Sequence, residues 1–377
     1  MTGKRPVAVV TGSRADFGLL RPVLRAIAAR EELELLVFVA GSHLVPPATT
    51  LRDVKAEFHV AELIPMQTVG RVGRLADAES VGKGVSLTAR AIERHRPEWI
   101  VVLGDRIEAF AAGSAAAVAG VGLAHIHGGD RAEGVADESM RHAITKLAHV
   151  HFAASRESHD RILRLGEPDE RVYLVGSPAI DELASMEMMS EETWRDLGSP
   201  RTLALLHPAG LGDARERAIA AAVFDAAIES PPVLALMPNL DPGRDSIMGE
   251  LREREARGLV RVMEHVPRAA FIGLLKKLAS IGGVLIGNSS AGRIEAAAVG
   301  LRVIDVGPRQ AGREQPPNVT HVGESELARL GTLVRERPSS VPTSHPFGDG
   351  HAGERIAEAL AKIDPTQEGF TRKRNAY

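Results

Sequence analysis

The chain has 377 residues, enough for two sizeable cores at roughly 150 residues per domain. Its 46 Lys and Arg against 49 Asp and Glu leave a net charge of −3, which gives no electrostatic reason to expect nucleic acid or an anionic membrane as partner, and 3% aromatics leave few base-stacking platforms. The absence of cysteine excludes disulfides, thiol nucleophiles and thiolate zinc sites. No apolar run approaches about 18 residues, and the start MTGKRPVAVVTG lacks the core of a signal peptide, so the expected address is the cytoplasm.

The first half alternates short apolar runs with amphipathic stretches, the pattern of a parallel sheet with crossover helices. Strands are predicted at 6–11, 34–40, 99–103, 122–126, 149–154 and 172–175, with helices at 16–29, 75–95, 107–119, 137–147 and 156–165. A polar, Met-rich stretch at 185–200 ends in Gly198, Ser199 and Pro200, and the alternation resumes. Strands are predicted at 202–206, 233–237, 260–264, 283–286 and 302–306, and helices at 213–229, 245–257, 269–279 and 292–299. A Pro-rich segment at 337–346 leads to a last helix, 353–363, and a tail expected to fray. The expected fold is α/β, with two doubly wound Rossmann-like domains at 1–185 and 200–350 and a C-terminal helix and tail at 351–377. In such folds ligands bind at the carboxyl ends of the strands, here around an interdomain cleft.

Functional side chains are therefore sought just after strands. Past the first, Thr11-Gly12-Ser13-Arg14-Ala15-Asp16 is a glycine turn into a helix; free backbone N–H groups and Arg14 there suit an anion, although neither a dinucleotide fingerprint nor a P-loop is present. The bland alternative makes Gly12 a tight turn and Asp16 a first-turn helix charge. The third strand ends in Gly104-Asp105-Arg106, the fourth in His125-Ile126-His127-Gly128-Gly129-Asp130, and Asp137 opens the next helix. One such carboxylate is more simply a cap or local ion pair, but three at successive strand ends suggest divided acid and base roles. His125 and His127 alternate along a strand and could imitate two metal ligands; the spacing offers no third, and no metal is expected.

In the second half His207 follows a strand, Asn239 and Asp241 follow the next, and Gly287-Asn288-Ser289-Ser290-Ala291-Gly292-Arg293-Ile294-Glu295 runs from strand to helix. That run offers N–H donors and a helix start to a diphosphate, with Glu295 one turn on to accept from ribose hydroxyls. An ordinary N-cap explains Ser289 or Ser290 equally well. Arg309 and Arg313 bring further cationic donors to the same edge.

Taken together, TGSRAD, GSHL (41–44), ESVG (79–82), LGDR, HIHGGD, DESMRHAITKLAH, VGSPAID, LLHPAG, PNLD, HVP, GNSSAG and PRQAGRE resemble the hydrolysing UDP-N-acetylglucosamine 2-epimerases of sialic-acid-type sugar synthesis. GNSS followed by Glu and then RQxGRE is the specific part. The resemblance implies a GT-B type fold, a homodimer, a nucleotide-sugar substrate and no redox or other cofactor. It places the nucleotide on Ser289, Ser290 and Glu295, with Arg14, His207 and Arg309 near its phosphates, and makes Asp105, Asp130 and Asp137 the catalytic carboxylates. His43 matches the histidine of GSHL, and Arg106, Asn239, Gly292 and Arg313 fall in the same motifs as substrate-binding candidates, while His207 is also a catalytic candidate. Many members of the family carry Glu where this chain has Asp130.

The chemistry implied converts UDP-N-acetylglucosamine and water to N-acetylmannosamine and UDP. The C2 hydrogen of a hexosamine is not beside a carbonyl, so a lone carboxylate is too weak a base. Departure of UDP makes C1 cationic and C2–H acidic, which favours elimination to a 2-acetamidoglucal and then hydration. Rival readings are a non-hydrolysing epimerase that returns UDP to the glycal, a GT-B glycosyltransferase, and a binder that needs no acids.

Overall fold

In the computed structural model, residues 3–46, 49–131, 137–239, 241, 243–338 and 340–374 are described. They form two units: residues up to Asp130, Asp137–Asp181 and from Phe347 onward make one, and Glu182–Pro346 make the main part of the other.

The first unit runs β1 (Arg5–Thr11), α1 (Arg14–Ala28), β2 (Leu33–Ala40), α2 (Leu51–Glu57), β3 (Val60–Ile64), α3 (Arg74–His95), β4 (Trp99–Leu103), α4 (Ile107–Ala119), β5 (Gly122–Ile126), α5 (Asp137–Leu147), β6 (Val150–Ala153), α6 (Arg156–Arg164) and β7 (Val172–Leu174). All seven strands pair in parallel, in the order β3-β2-β1-β4-β5-β6-β7. The strands read as unbroken apolar runs because both faces are covered: Val7 and Val9 of β1 join the core under α1, while Ala8 and Val10 join the core under α3 and α4. The order reverses between β1 and β4, so the turns after these two strands flank the switch point where doubly wound sheets take ligands.

The second unit runs α7 (Glu191–Asp196), β8 (Thr202–Leu205), α8 (Asp213–Ala227), β9 (Val233–Leu236), α9 (Arg244–Ala256), β10 (Arg261–Met263), α10 (Arg268–Ser280), β11 (Val284–Gly287), α11 (Ser290–Arg293), α12 (Glu295–Ala298), β12 (Arg302–Val306), β13 (Val319–Val322) and α13 (Leu330–Arg335). Its six strands are also all parallel, in the order β10-β9-β8-β11-β12-β13, with the reversal between β8 and β11.

A last helix, α14 (Ala352–Lys362), returns to the first unit. Its amphipathic pattern puts Ile356, Ala357 and Leu360 in the core under β1, and the approach to α1 is close enough that a Cβ on Gly353 would lie 2.9 Å from the backbone of Pro22. Asp181 caps it, accepting from the N–H groups of Ala352 (3.0 Å) and Gly353 (2.6 Å). Where fraying was expected, the tail beyond packs on the first unit through Phe370 and Lys373. Phe370 packs edge-on against Trp99, and Lys373 lies 2.8 Å from Glu167, a buried carboxylate that also accepts from Lys146.

Candidate active site

In the first unit the carboxylates gather at the ends of β4 and β5, which are neighbours in the sheet. Asp105, two residues past β4, keeps its side chain 18% exposed and is ion-paired with Arg141 of α5. The same guanidinium donates to the His127 carbonyl at 3.1 Å. Beyond β5 the backbone is left-handed at His127 (φ 63°) and Gly129 (φ 73°), a turn that folds Asp130 back towards His127. A side chain at residue 129 would put Cβ 2.2 Å from the Ser158 carbonyl oxygen, so glycine is required there. His127 Nδ1 lies 2.9 Å from Asp130 Oδ2, and Ser158 donates to Oδ1 at 2.7 Å. Asp105 and Asp130 thus belong to one network through Arg141 and His127. Asp137 begins α5, but its side chain lies outside the described residues.

The turn after β1 corrects the expectation of an open anion cradle. Asp16 takes the N–H groups of Gly12 (2.8 Å), Ser13 (2.7 Å) and Phe17 (2.9 Å), and Ser13 caps α1 in a capping box with it. The donors are satisfied from within the chain. Arg14 is the exposed first residue of α1. His43 is buried with both ring nitrogens engaged, by Thr11 (3.0 Å) and Thr50 (2.6 Å), and burial holds its pKa below the usual histidine range. It braces the turn.

Glu108 escaped sequence reasoning. It is 2% exposed beneath this turn, and a Cβ on Gly12 or Gly41 would meet it at 2.4 or 1.9 Å, so both glycines make room for the carboxyl group. Burial pushes its pKa up, and Arg106 Nε, donating at 3.2 Å, pulls it back.

All four ring nitrogens of the histidine pair are engaged within the chain. β5 ends at Ile126, so the alternation breaks before His127, and His125 is wholly buried with Nε2 donating to the Gly104 carbonyl (2.7 Å) and Nδ1 facing Thr145. Among the described residues no group of three or more His, Cys, Asp or Glu is placed to hold a metal ion.

Burial pushes His125 down to about 3, and burial together with Arg309 pushes His207 down to about 3. Unfolded histidine titrates near 6.5, so on acidification the unfolded chain binds protons that the folded chain refuses. The contribution of these two rings to stability is expected to be flat above about pH 7 and to fall between pH 6.5 and 4, by up to about 1.4 kcal/mol per pH unit per group. Urea midpoints at pH 7.5 and 5.0 check this; equal midpoints would show that these rings are not kept neutral.

In the second unit Asn288 is the hub. Past β11 its amide accepts from the His207 N–H (2.8 Å) and donates to the His207 carbonyl (2.8 Å), while its own carbonyl accepts from Arg309 (3.3 Å) and Gln310 (2.9 Å). The turns after β8 and β12 are thereby held on either side of β11. Arg309 also donates to the Pro208 carbonyl at 3.2 Å, and Arg313 to Gln310 at 3.0 Å. His207 Nδ1 accepts from the Asn239 N–H (3.2 Å), so the neutral ring carries its proton on Nε2 and can donate there. Ser289 is the N-cap of α11, accepting from the Ala291 N–H, which favours the capping role. Ser290 opens that helix. Gly292 is buried, and a Cβ would lie 3.0 Å from Val303, so it serves helix-on-sheet packing. The expected helix 292–299 is two pieces, broken at Ile294. Glu295 is buried and paired with Arg268 at 3.1 Å.

Two doubly wound units, one ending its strands in linked carboxylates and the other in amide, hydroxyl and guanidinium donors, define a Rossmann-like α/β protein of the GT-B type. The family described as UDP-N-acetylglucosamine 2-epimerase matches residues 25–361. The chain belongs to that family. It is 33% identical over 383 residues to the UDP-N,N'-diacetylbacillosamine 2-epimerase (hydrolyzing) of Legionella pneumophila, covering 99% of this chain and 100% of the relative. It is 30% identical to the UDP-N-acetylglucosamine 2-epimerase of Neisseria meningitidis serogroup B over 84% of this chain and 83% of that one. Among solved structures, the Neisseria meningitidis UDP-GlcNAc 2-epimerase bound to UDP-GlcNAc shares the fold with a TM-score of 0.78 at 18% identity, covering 95% of this chain and 100% of that one. The Methanocaldococcus jannaschii enzyme in complex with UDP-GlcNAc and UDP does so at 0.79 and 17%, over 95% and 100%.

Proposed function

We propose that this chain is a hydrolysing 2-epimerase acting on UDP-N-acetylglucosamine or a related 2-acetamido nucleotide sugar, releasing UDP and N-acetylmannosamine or its analogue. The observation that carries the reading is the Asp105–Arg141–His127–Asp130 network at adjacent strand ends, because a protein that only bound the nucleotide would have no use for linked carboxylates there. The relative from Legionella pneumophila supports the hydrolysing branch and favours a diacetylated sugar as the second candidate substrate.

In this mechanism Arg309, Arg14 and the Nε2–H of neutral His207 stabilise the departing diphosphate, with Ser290, Asn239 and Arg313 lining the same edge and Glu295 serving the ribose. His207 acts as a donor; a ring that stays neutral down to about pH 3 does not supply protons as an imidazolium at neutral pH. Loss of UDP and of the C2 proton gives the 2-acetamidoglucal; water adds at C1 and a proton at C2 from the opposite face. Asp105, Asp130 and Asp137 divide deprotonation, water activation and reprotonation. The sequence of steps needs no redox cofactor, and a cytoplasmic homodimer is the proposed working state.

Turnover of UDP-N-acetylglucosamine and its diacetylated relative in D2O tests the reading. Phosphorus NMR should show free UDP, and the sugar should carry one deuterium at C2. An intact nucleotide sugar as product would favour the non-hydrolysing branch, and an unlabelled C2 would exclude elimination.

A further inference from the structure

Asp130 is 2% exposed, and two chains of hydrogen bonds end on its carboxylate. In one, Ser155 donates to Ser158 (3.1 Å) and Ser158 donates to Oδ1 (2.7 Å). In the other, the Ala179 N–H donates to Ser177 Oγ (3.2 Å), Ser177 Oγ lies 3.0 Å from His127 Nε2, and His127 Nδ1 lies 2.9 Å from Oδ2. The directions follow from the chemistry of the groups. A carboxylate can only accept, so Nδ1 must donate; a neutral imidazole that donates at Nδ1 accepts at Nε2, and the proton on that side is the Ser177 hydroxyl's. Ser177 Oγ accepts one backbone N–H, and its own proton is the donor that Nε2 of an Nδ1–H ring requires.

We infer that His127, held in its Nδ1–H tautomer by Asp130 and steadied at Nε2 by the Ser177 hydroxyl, is a positioning residue that fixes the Asp130 carboxylate and, through its own carbonyl on Arg141, the placement of Asp105. The inference rests on the reading of Asp130 as one of the reaction's carboxylates. In the opposite tautomer a nitrogen lone pair would face the carboxylate and the turn would be pushed open. The left-handed backbone at His127 narrows the side chains able to stand in: asparagine tolerates that conformation and carries an amide N–H near where Nδ1 sits.

The test uses the full chain and UDP-N-acetylglucosamine. Long-range proton–nitrogen NMR on histidine-labelled protein, with the His127 signals assigned by their loss in His127→Asn, should show Nδ1–H with a hydrogen-bonded Nε2 in the parent, and in Ser177→Ala the same tautomer with the Nε2 resonance moved downfield by loss of its donor. Kinetically, His127→Ala should lower kcat about 10- to 100-fold with UDP affinity kept, Ser177→Ala about 5- to 10-fold, and His127→Asn should recover to within about 5-fold of the parent. A purely space-filling histidine would show no such rescue and no Nε2 response. An Nε2–H ring in the parent, or Ser177→Ala with parental Nε2 resonance and kcat, would overturn the inference; that variant deletes one hydroxyl and decides the matter even where His127→Ala fails to fold. Parental turnover in Asp130→Asn would instead sink the functional reading of Asp130, while the tautomer measurement still judges the Ser177–His127 arrangement on its own.

Discussion

Asp105→Asn is expected to lower turnover by about 10³-fold or more while UDP affinity stays within about twofold of the parent. Asp105 is the more exposed of the two carboxylates described at the strand ends, and its ion pair with Arg141 orients it. The amide keeps the shape of the carboxylate and still accepts from Arg141, so the fold and the network survive; what disappears is the capacity to take a proton. The nucleotide is assigned to groups at the strand ends of the second unit together with Arg14, and Asp105 is not among them, so its affinity should not follow. Initial rates with UDP-N-acetylglucosamine and calorimetric titration with UDP separate the two quantities. Substantial activity in this variant would remove Asp105 from the reaction.

Gly287→Ala should be the most damaging small substitution in the second unit. Gly287 ends β11 with φ 147°, and an added Cβ would stand 2.0 Å from the Leu205 carbonyl oxygen and 2.5 Å from its carbon. Both are backbone atoms of the paired strand β8 and cannot swing aside, so the strand ends must part. The expected cost is about 4 kcal/mol or more, since strain at a special φ and overpacking against main chain act together. Asn288 is the next residue, and its paired bonds to His207 and its carbonyl contacts with Arg309 and Gln310 would go with it. Urea unfolding reports the loss, and hydrogen exchange should localise it to β8, β11 and β12. A midpoint within about 1 kcal/mol of the parent would contradict the close approach.

Strand ends were legible because a parallel strand buried on both faces is an unbroken apolar run, and such a run stops where function begins. The positions of β1, β4, β5, β8, β11 and β12, and with them Asp105, Asp130, His207 and Asn288, follow from that one signal. The edge strands β3 and β13 were missed because VAELI and VTHV mix exposed polar residues into short runs, as edges do. The short helices α2, α7 and α13 lack the length for a clear period.

The partners within the site were harder to read. Asp105 and Arg141 are 36 residues apart, and Ser177 and His127 are 50 apart, so no local spacing announces either contact. Glu108 lies in the first turn of α4, where nothing in the local sequence announces burial, and only the two glycines folded around it reveal a buried carboxyl group. The turn after β1 misled in the opposite sense. A glycine turn entering a helix does offer N–H groups, but Asp16 stands where it can take them first.

The return of residues 347–374 to the first unit has a consequence for biosynthesis. Glu182–Pro346 leaves the ribosome as one continuous stretch and can close its core while the chain is still being made. The carboxylate-bearing part cannot: α1 waits for α14, Asp181 lacks the N–H groups of Ala352 and Gly353, and Trp99 lacks Phe370 until residues 347–374 are made. A nascent chain stalled before residue 347 should therefore carry a protease-resistant middle flanked by an amino-terminal half that is still cut, which pulse proteolysis of arrested ribosomes would read directly.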